Sequence, residues 1–211
     1  RSSAASDVYK RQELVAYAET IHMLGVRFLP SGLSRFIQLP LHELTNQRIC
    51  ADEVTNFFDA SFAERLCEED NFGDRIKIIE ELFIKSLYKY DLQTDPQIAF
   101  AIEQINRHQG KLPVQSLVED ICLCQRQFER KFKMNTGYTP KIYSRIMQFK
   151  NAVDLLRSAT CDNLLSTAVH AGYYDVPHLS REIKRMSGNT PYSFLALPSP
   201  EEEVTLTYVE A

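Results

Sequence analysis

Cys122-Leu-Cys-Gln-Arg-Gln-Phe-Glu-Arg-Lys-Phe-Lys133, followed by Thr136-Gly-Tyr-Thr-Pro140, is answered later in the chain by a second stretch of the same design. That stretch is Gly172-Tyr-Tyr-Asp-Val-Pro-His-Leu-Ser-Arg-Glu-Ile-Lys184, followed by Ser187-Gly-Asn-Thr-Pro191. Phe128 aligns with Leu179, Arg130 with Arg181, Phe132 with Ile183 and Lys133 with Lys184. Gly137 and Pro140 align with Gly188 and Pro191. An internal repeat constrains architecture before any single residue does, because each copy must be one supersecondary unit.

Each copy is a helix-turn-helix candidate. In the first, Pro113 opens a short helix with apolar Val114, Leu117, Val118 and Ile121. A tight turn over Cys122 to Cys124 leads into an amphipathic helix from Gln125 to about Met134, with Phe128 and Phe132 four apart as its buried stripe. In the second, Leu164, Leu165, Ala168 and Val169 are expected to form the supporting helix, and Gly172 permits the turn. Asp175 suits an N-cap, and Pro177 is tolerated in a first helical turn because its missing N–H has no helical partner there. A helix braced this way can enter a major groove.

Between the copies, Lys141 to Arg157 reads as one helix with Ile142, Ile146, Phe149, Val153 and Leu156 along one side. At ~1.5 Å per residue it spans roughly 25 Å. With the bulk of the flanking units, that length can set two reading helices about one DNA turn (~34 Å) apart.

Residues Pro96 to Leu195 resemble the DNA-binding domain of AraC/XylS-type transcription regulators. The resemblance rests on Phe128-Glu-Arg-Lys-Phe132, Gly137 with Pro140 and Tyr143, Ala152 with Leu155-Leu156, Gly172-Tyr173, His178-Leu-Ser-Arg181, and Gly188 with Pro191. It implies a mainly α fold, a seven-helix module with two helix-turn-helix units that bind adjacent major grooves, usually accompanied by an N-terminal sensing or dimerising domain. The chain departs from the pattern at three places: Cys124 stands where a small hydroxyl residue usually caps the first reading helix, Gln148 replaces an Arg, and Thr167-Ala168 replaces Ile-Ala.

The candidate DNA-contacting residues are Gln125, Arg126, Glu129, Arg130 and Lys133 on the first reading helix, and Val176, Pro177, His178, Ser180, Arg181 and Lys184 on the second. By correspondence with the family, the positions of Arg126 and Glu129 meet bases. Arg suits guanine O6/N7 and Glu accepts from cytosine N4. The bland alternative is a solvated charged face, with Arg130 bridging to an acidic neighbour. Val176 can touch a thymine methyl and Ser180 a phosphate, so the second surface is expected to discriminate less. His178 serves equally well as a packing or capping residue. Lys133, Lys150, Lys184 and Arg185 are candidate phosphate contacts.

Ser2 to Gln12 matches the translation of a transposase adapter used in sequencing-library preparation, so residues 1–12 are set aside from fold reasoning. Residues 13–93 are then expected to be the C-terminal part of a larger regulatory α+β domain, 94–195 the DNA-binding domain and 196–211 a disordered tail. His22 to Ile37 reads as two short strands around Pro30-Ser-Gly32, and Gln38 to Arg48 as irregular, with Pro40 a breaker. Asp52 to Phe58 and Ser61 to Glu69 read as short helices. Asp74 to Tyr90 reads as an amphipathic helix burying Ile76, Ile79, Leu82, Phe83 and Leu87.

Composition narrows the function. The net charge of −4 hides a division. Residues 1–107 hold 12 Lys/Arg against 17 Asp/Glu, a balance of −5, whereas residues 108–195 hold 12 against 7, a balance of +5. The basic surplus falls on the repeat, as a nucleic-acid footprint should. Five Cys without a paired framework, no signal peptide and no apolar run of ~18 residues suit a cytoplasmic protein. Cys122 and Cys124 alone make a weak metal motif, His22, His42, His108 and His170 have no ligand spacing, and no phosphate loop or nucleophile elbow is present. The sequence therefore points to a regulator that binds double-stranded DNA and needs no cofactor or catalytic site. RNA polymerase is an expected partner, and a small-molecule effector is possible through the N-terminal portion. The competing reading is a protein-interaction module whose degenerate helix-turn-helix units contact a transcription partner.

Overall fold

Helix boundaries in the C-terminal half follow from short-range chemistry. Asp95 accepts from the Gln97 amide, Thr139 from Ile142, Asn163 from Ser166 and Asp175 from His178, so four helices begin on a side-chain cap. Pro96 and Pro140 open their helices and Pro177 lies in the first turn of its own, where no N–H is needed. Gly137 and Gly188 end the two reading helices with φ of 84° and 77°, each amide returning to a lysine carbonyl, Lys133 and Lys184. Cys124 occupies the N-cap position of the first reading helix without a side-chain hydrogen bond.

The structure is a computed structural model and describes residues 24–54, 58, 60–90, 95–158 and 163–195. The expectations for residues 1–23, for most of the linker 91–95 and for the tail after 195 lie outside the described residues. Helices α1 (Ala51–Val54), α2 (Ala60–Glu68) and α3 (Phe72–Tyr90) precede α4 (Pro96–Arg107), α5 (Val114–Ile121), α6 (Gln125–Thr136), α7 (Pro140–Arg157), α8 (Leu164–His170), α9 (Val176–Ser187) and α10 (Pro191–Leu195). From α4 onward these are seven helices, and the fold is mainly α.

Two hydrophobic cores hold the module together. The first contains Ile98, Ala101, Ile102, Ile105, Leu117, Ile121, Phe128, Phe132 and Tyr143, and the second Ala152, Val153, Leu156, Ala168, Ala171, Tyr173, Leu179, Ile183 and Phe194. Shifted by 51 positions, seven of the nine residues of one core map onto the other: Ala101 on Ala152, Ile102 on Val153, Ile105 on Leu156, Leu117 on Ala168, Phe128 on Leu179, Phe132 on Ile183 and Tyr143 on Phe194. The repeat is thus longer than the turn motifs reveal and includes the helix before each helix-turn-helix. Each fully buried aliphatic or aromatic side chain contributes about 1.5–3 kcal/mol, and the Phe128–Phe132 and Phe132–Tyr143 ring pairs add edge contacts at 5.6 Å.

Helix α7 belongs to both cores, which corrects the single stripe expected for it. Its N-terminal end closes the first core through Tyr143, and its C-terminal half opens the second through Ala152, Val153 and Leu156. Ile142, assigned to the buried side, is exposed. In α8 the buried face is Thr167 and Ala168, with Leu164 half-buried, and Leu165 and Val169 are exposed instead. Seven residues pack against a neighbour on one narrow face only, so a helix this short cannot bury all four of its apolar side chains.

The strands expected over 22–37 are not found among the described residues of that span. Residues 24–29 are irregular, Gly32–Arg35 form a 3-10 turn, and Ser31 sits in the left-handed region at φ 62°. Phe28 and Phe36 instead pack against Phe83 of α3, at ring separations of 5.3 and 4.9 Å. Two short strands lack a sheet to join, and the aromatic rings find a helix. Pro40 caps a 3-10 turn, Leu41–Glu43, inside the segment expected to be irregular. In α3, Ile79 is buried, and Ile76, Leu82, Phe83 and Leu87 are half-buried.

Candidate nucleic-acid interface

The buried pair Phe128 and Phe132 fixes which side of α6 faces out. Gln125, Arg126, Arg130 and Lys133 are exposed and Glu129 is half-buried, all on the side away from the core. On α9 the buried pair Leu179 and Ile183 does the same for Val176, Pro177, Ser180, Arg181 and Lys184. These are equivalent positions. Gln125 matches Val176, Arg126 matches Pro177, Glu129 matches Ser180, Arg130 matches Arg181 and Lys133 matches Lys184, each 51 residues apart. The near half of the two faces is chemically different, and the far half carries the same Arg and Lys.

The first face is partly ordered by its own side chains. Gln125 Nε2 donates to Glu129 Oε1 at 2.9 Å, which aims the carboxylate along the helix surface. Arg126, Arg130 and Lys133 enter no ion pair among the described residues, so the bridge considered for Arg130 is not formed. On α9, Arg181 Nε donates to the Pro177 carbonyl at 3.2 Å. His178 departs from the face: its ring stands edge-on to Tyr173 at 5.3 Å, and its Nδ1 accepts from the Tyr174 amide at 3.4 Å. That geometry fits the packing and capping reading of His178.

Behind α9, Glu182 accepts from Arg145 of α7 at 2.6 Å and from Arg185 at 3.0 Å. Arg185, read from sequence as a phosphate contact, is therefore engaged within the protein. Tyr173, buried beside this cluster, has its phenol pushed up to about 12, first by burial and then by the Glu182 charge, with Arg145 opposing. The equivalent of Glu182 in the first unit is Lys131, which pairs with Asp95 at 2.9 Å. Each reading helix is thus tied by an ion pair to the start of its unit, with the signs reversed.

The two units are locked at a junction that the sequence did not single out. Gln148 Nε2 donates to the Ala171 and Gly172 carbonyls at 3.0 and 2.9 Å, and Lys111 Nζ donates to the His170 carbonyl at 3.2 Å. Gly110, at φ 75°, lies so close to α7 that a Cβ there would stand 2.0 Å from the Ser144 carbonyl oxygen. Gln148 and Lys111 are single polar residues far from their partners in sequence, and only the departure at Gln148 marked either.

Among the described residues no group of three or more His, Cys, Asp or Glu could hold a metal ion, and no helix is long and apolar enough to cross a membrane. Cys50, Cys67, Cys122 and Cys124 are free and exposed.

Residues 117–196 match the family described as "Helix-turn-helix domain". No curated protein matches the chain. Similar solved structures include the xylose-binding transcription activator XylR, 22% identical with a TM-score of 0.46 over 51% of this chain and 28% of that one. A probable AraC family transcriptional regulator from Rhodopseudomonas palustris CGA009 is 18% identical, with a TM-score of 0.43 over 48% of this chain and 95% of that one. The DNA-binding domain of AdpA, described as a global transcriptional factor and solved with a target DNA, is 22% identical, with a TM-score of 0.44 over 49% and 92%. The chain thus spans about a quarter of the length of the first of these. The family match falls on the repeat itself, so residues 117–196 are matched as a helix-turn-helix domain.

Proposed function

We propose that residues 96–195 read double-stranded DNA for a transcription regulator, with α6 and α9 entering consecutive major grooves. The observation that carries this reading is the pair of equivalent exposed faces, each held out by a buried pair of apolar residues on the same helix. Arg130 and Lys133 with their twins Arg181 and Lys184 meet what the two half-sites share, the phosphate backbone. Gln125, Arg126 and Glu129 meet bases, and their replacement by Val176, Pro177 and Ser180 makes the second unit the looser reader. His178 supports α9 instead of contacting DNA. The protein acts as a binding regulator and not an enzyme; RNA polymerase is the partner implied by that role, and the N-terminal portion is where an effector would act.

The test is selection of binders from a random duplex pool at near-physiological salt. A bipartite motif with half-sites about one turn apart, the first better defined than the second, is the expected result. A second reading, contact with a partner protein, is favoured by exposed Leu165 and Val169, four apart on α8. No enrichment from the pool, with no dependence of random-duplex binding on salt, would transfer the function to that surface.

A further inference from the structure

The two reading helices end alike but are not treated alike. Gly137 and Gly188 are equivalent, with φ of 84° and 77°, and each closes its helix by the same amide-to-lysine bond. Around Gly188 the space is open: a Cβ built there meets nothing within 4 Å. Around Gly137 it is filled. A Cβ there would stand 2.8 Å from Thr45 Oγ1 and 3.3 Å from the Leu41 carbonyl oxygen. Thr45 Oγ1 lies 3.2 Å from the Gly137 carbonyl and 3.3 Å from that of Leu41, and donates between them. Leu41, in the same turn, is buried. A segment 92 residues upstream thus sits on the C-terminal end of the first reading helix.

The placement decides between blocking and positioning. The turn bonds to Gly137 and packs against α6, whereas Gln125, Arg126 and Arg130 stay exposed. It therefore leaves the reading face free and fixes the axis of the helix that carries it. The turn is itself tied to the rest of the N-terminal portion: the short stretch from Phe28 to Phe36, whose rings rest on Phe83 of α3, leads directly into it.

We propose that the Pro40–Thr45 turn is the contact through which the N-terminal portion sets the first reading helix, with Thr45 as its positioning residue and no equivalent contact at Gly188 of the second unit. The idea rests on the DNA-reading function above and assigns its regulation to one half-site. A change that lifts the turn from Gly137 loosens binding at the first half-site alone.

The test uses the full chain with Thr45→Val, Thr45→Ser, Gly137→Asn and Gly188→Asn. Asn tolerates the left-handed region, so the two glycine variants share their backbone strain and differ in the clash with Thr45. Hydrogen exchange is read first. Faster exchange at amides 133–137 in Thr45→Val and Gly137→Asn, with 184–188 unchanged and Thr45→Ser near wild type, is expected. Unchanged exchange at 133–137 overturns the contact. On the selected bipartite duplex, Thr45→Val is expected to lose about two- to tenfold in affinity, the worth of one neutral hydrogen bond, and the loss should vanish when the first half-site is scrambled. An equal loss at both half-sites overturns the coupling as mere destabilisation. Absence of specific duplex binding by the wild type would overturn the DNA reading and the regulation together, while the exchange result would still decide the contact.

Discussion

Gln97 and Gln148 perform the same task 51 residues apart: Gln97 Nε2 donates to the Ile121 carbonyl at 2.9 Å, and Gln148 Nε2 to the Gly172 carbonyl at 2.9 Å. Those two acceptors are themselves 51 residues apart. In each unit the leading helix satisfies a carbonyl at the end of the supporting helix, where intrahelical donors have run out. Gln148, which departs from the pattern the sequence resembles, is thus in register with the other half of its own module. Gln148→Ala and Gln97→Ala should each cost about 1–2 kcal/mol, because Gln148 also serves Ala171 and Gln97 also accepts from Lys131. Urea unfolding of the two variants measures this; equal, negligible losses would show that water replaces both amides.

Cys122 holds a left-handed conformation at φ 53° without being glycine. Such a residue is strained by about 1–2 kcal/mol, partly offset by the greater chain entropy of glycine. Cys122→Gly is therefore expected to raise stability slightly, by up to ~1 kcal/mol, leaving DNA binding intact. A fall in melting temperature would mean that the thiol makes a packing contribution larger than the strain.

Arg126 and Lys133 lie on the same exposed face but should fail differently. Arg126→Ala should weaken specific binding by ~1–3 kcal/mol and relax preference at one position of the first half-site. Lys133→Ala should weaken all sequences alike and reduce the salt slope by about one. Titrations on specific and random duplexes at several salt concentrations separate the two, and identical behaviour would remove Arg126 from base readout.

Tyr173, with its phenol pushed up to about 12 from a usual 10, makes the second unit sensitive to alkali. The protonated form is favoured in the fold, so its contribution is complete below about pH 10 and is lost as pH rises toward 12. Tyrosinate absorbance should show one late titration that disappears in Tyr173→Phe, and that variant should lose less stability between those pH values. A late phase that survives the substitution would assign it elsewhere, Tyr143 being the first alternative because burial raises it too.

The two helix-turn-helix units, the cap at Asp175, and the outward faces of α6 and α9 were legible because each is encoded within a few residues. A cap needs one side chain and one nearby amide, and an amphipathic helix writes its buried face every three or four positions. Periodicity failed in α7 because two cores claim different sides of one helix, and in α8 because a seven-residue helix has less neighbour than apolar surface. Expected strands at 22–37 gave way to a turn because Phe28 and Phe36 had Phe83 to bury against, a partner 55 and 47 residues away. The junction of Gln148 with Gly172 and the contact of Thr45 with Gly137 were also settled only in three dimensions. By itself the sequence determined which units exist and which residues they turn outward, since those follow from local hydrogen bonding and hydrophobic spacing. How the units are fixed to each other and to the N-terminal portion depends on carbonyls and glycines whose partners lie tens of residues away, and only the tertiary structure brings those partners within hydrogen-bond reach.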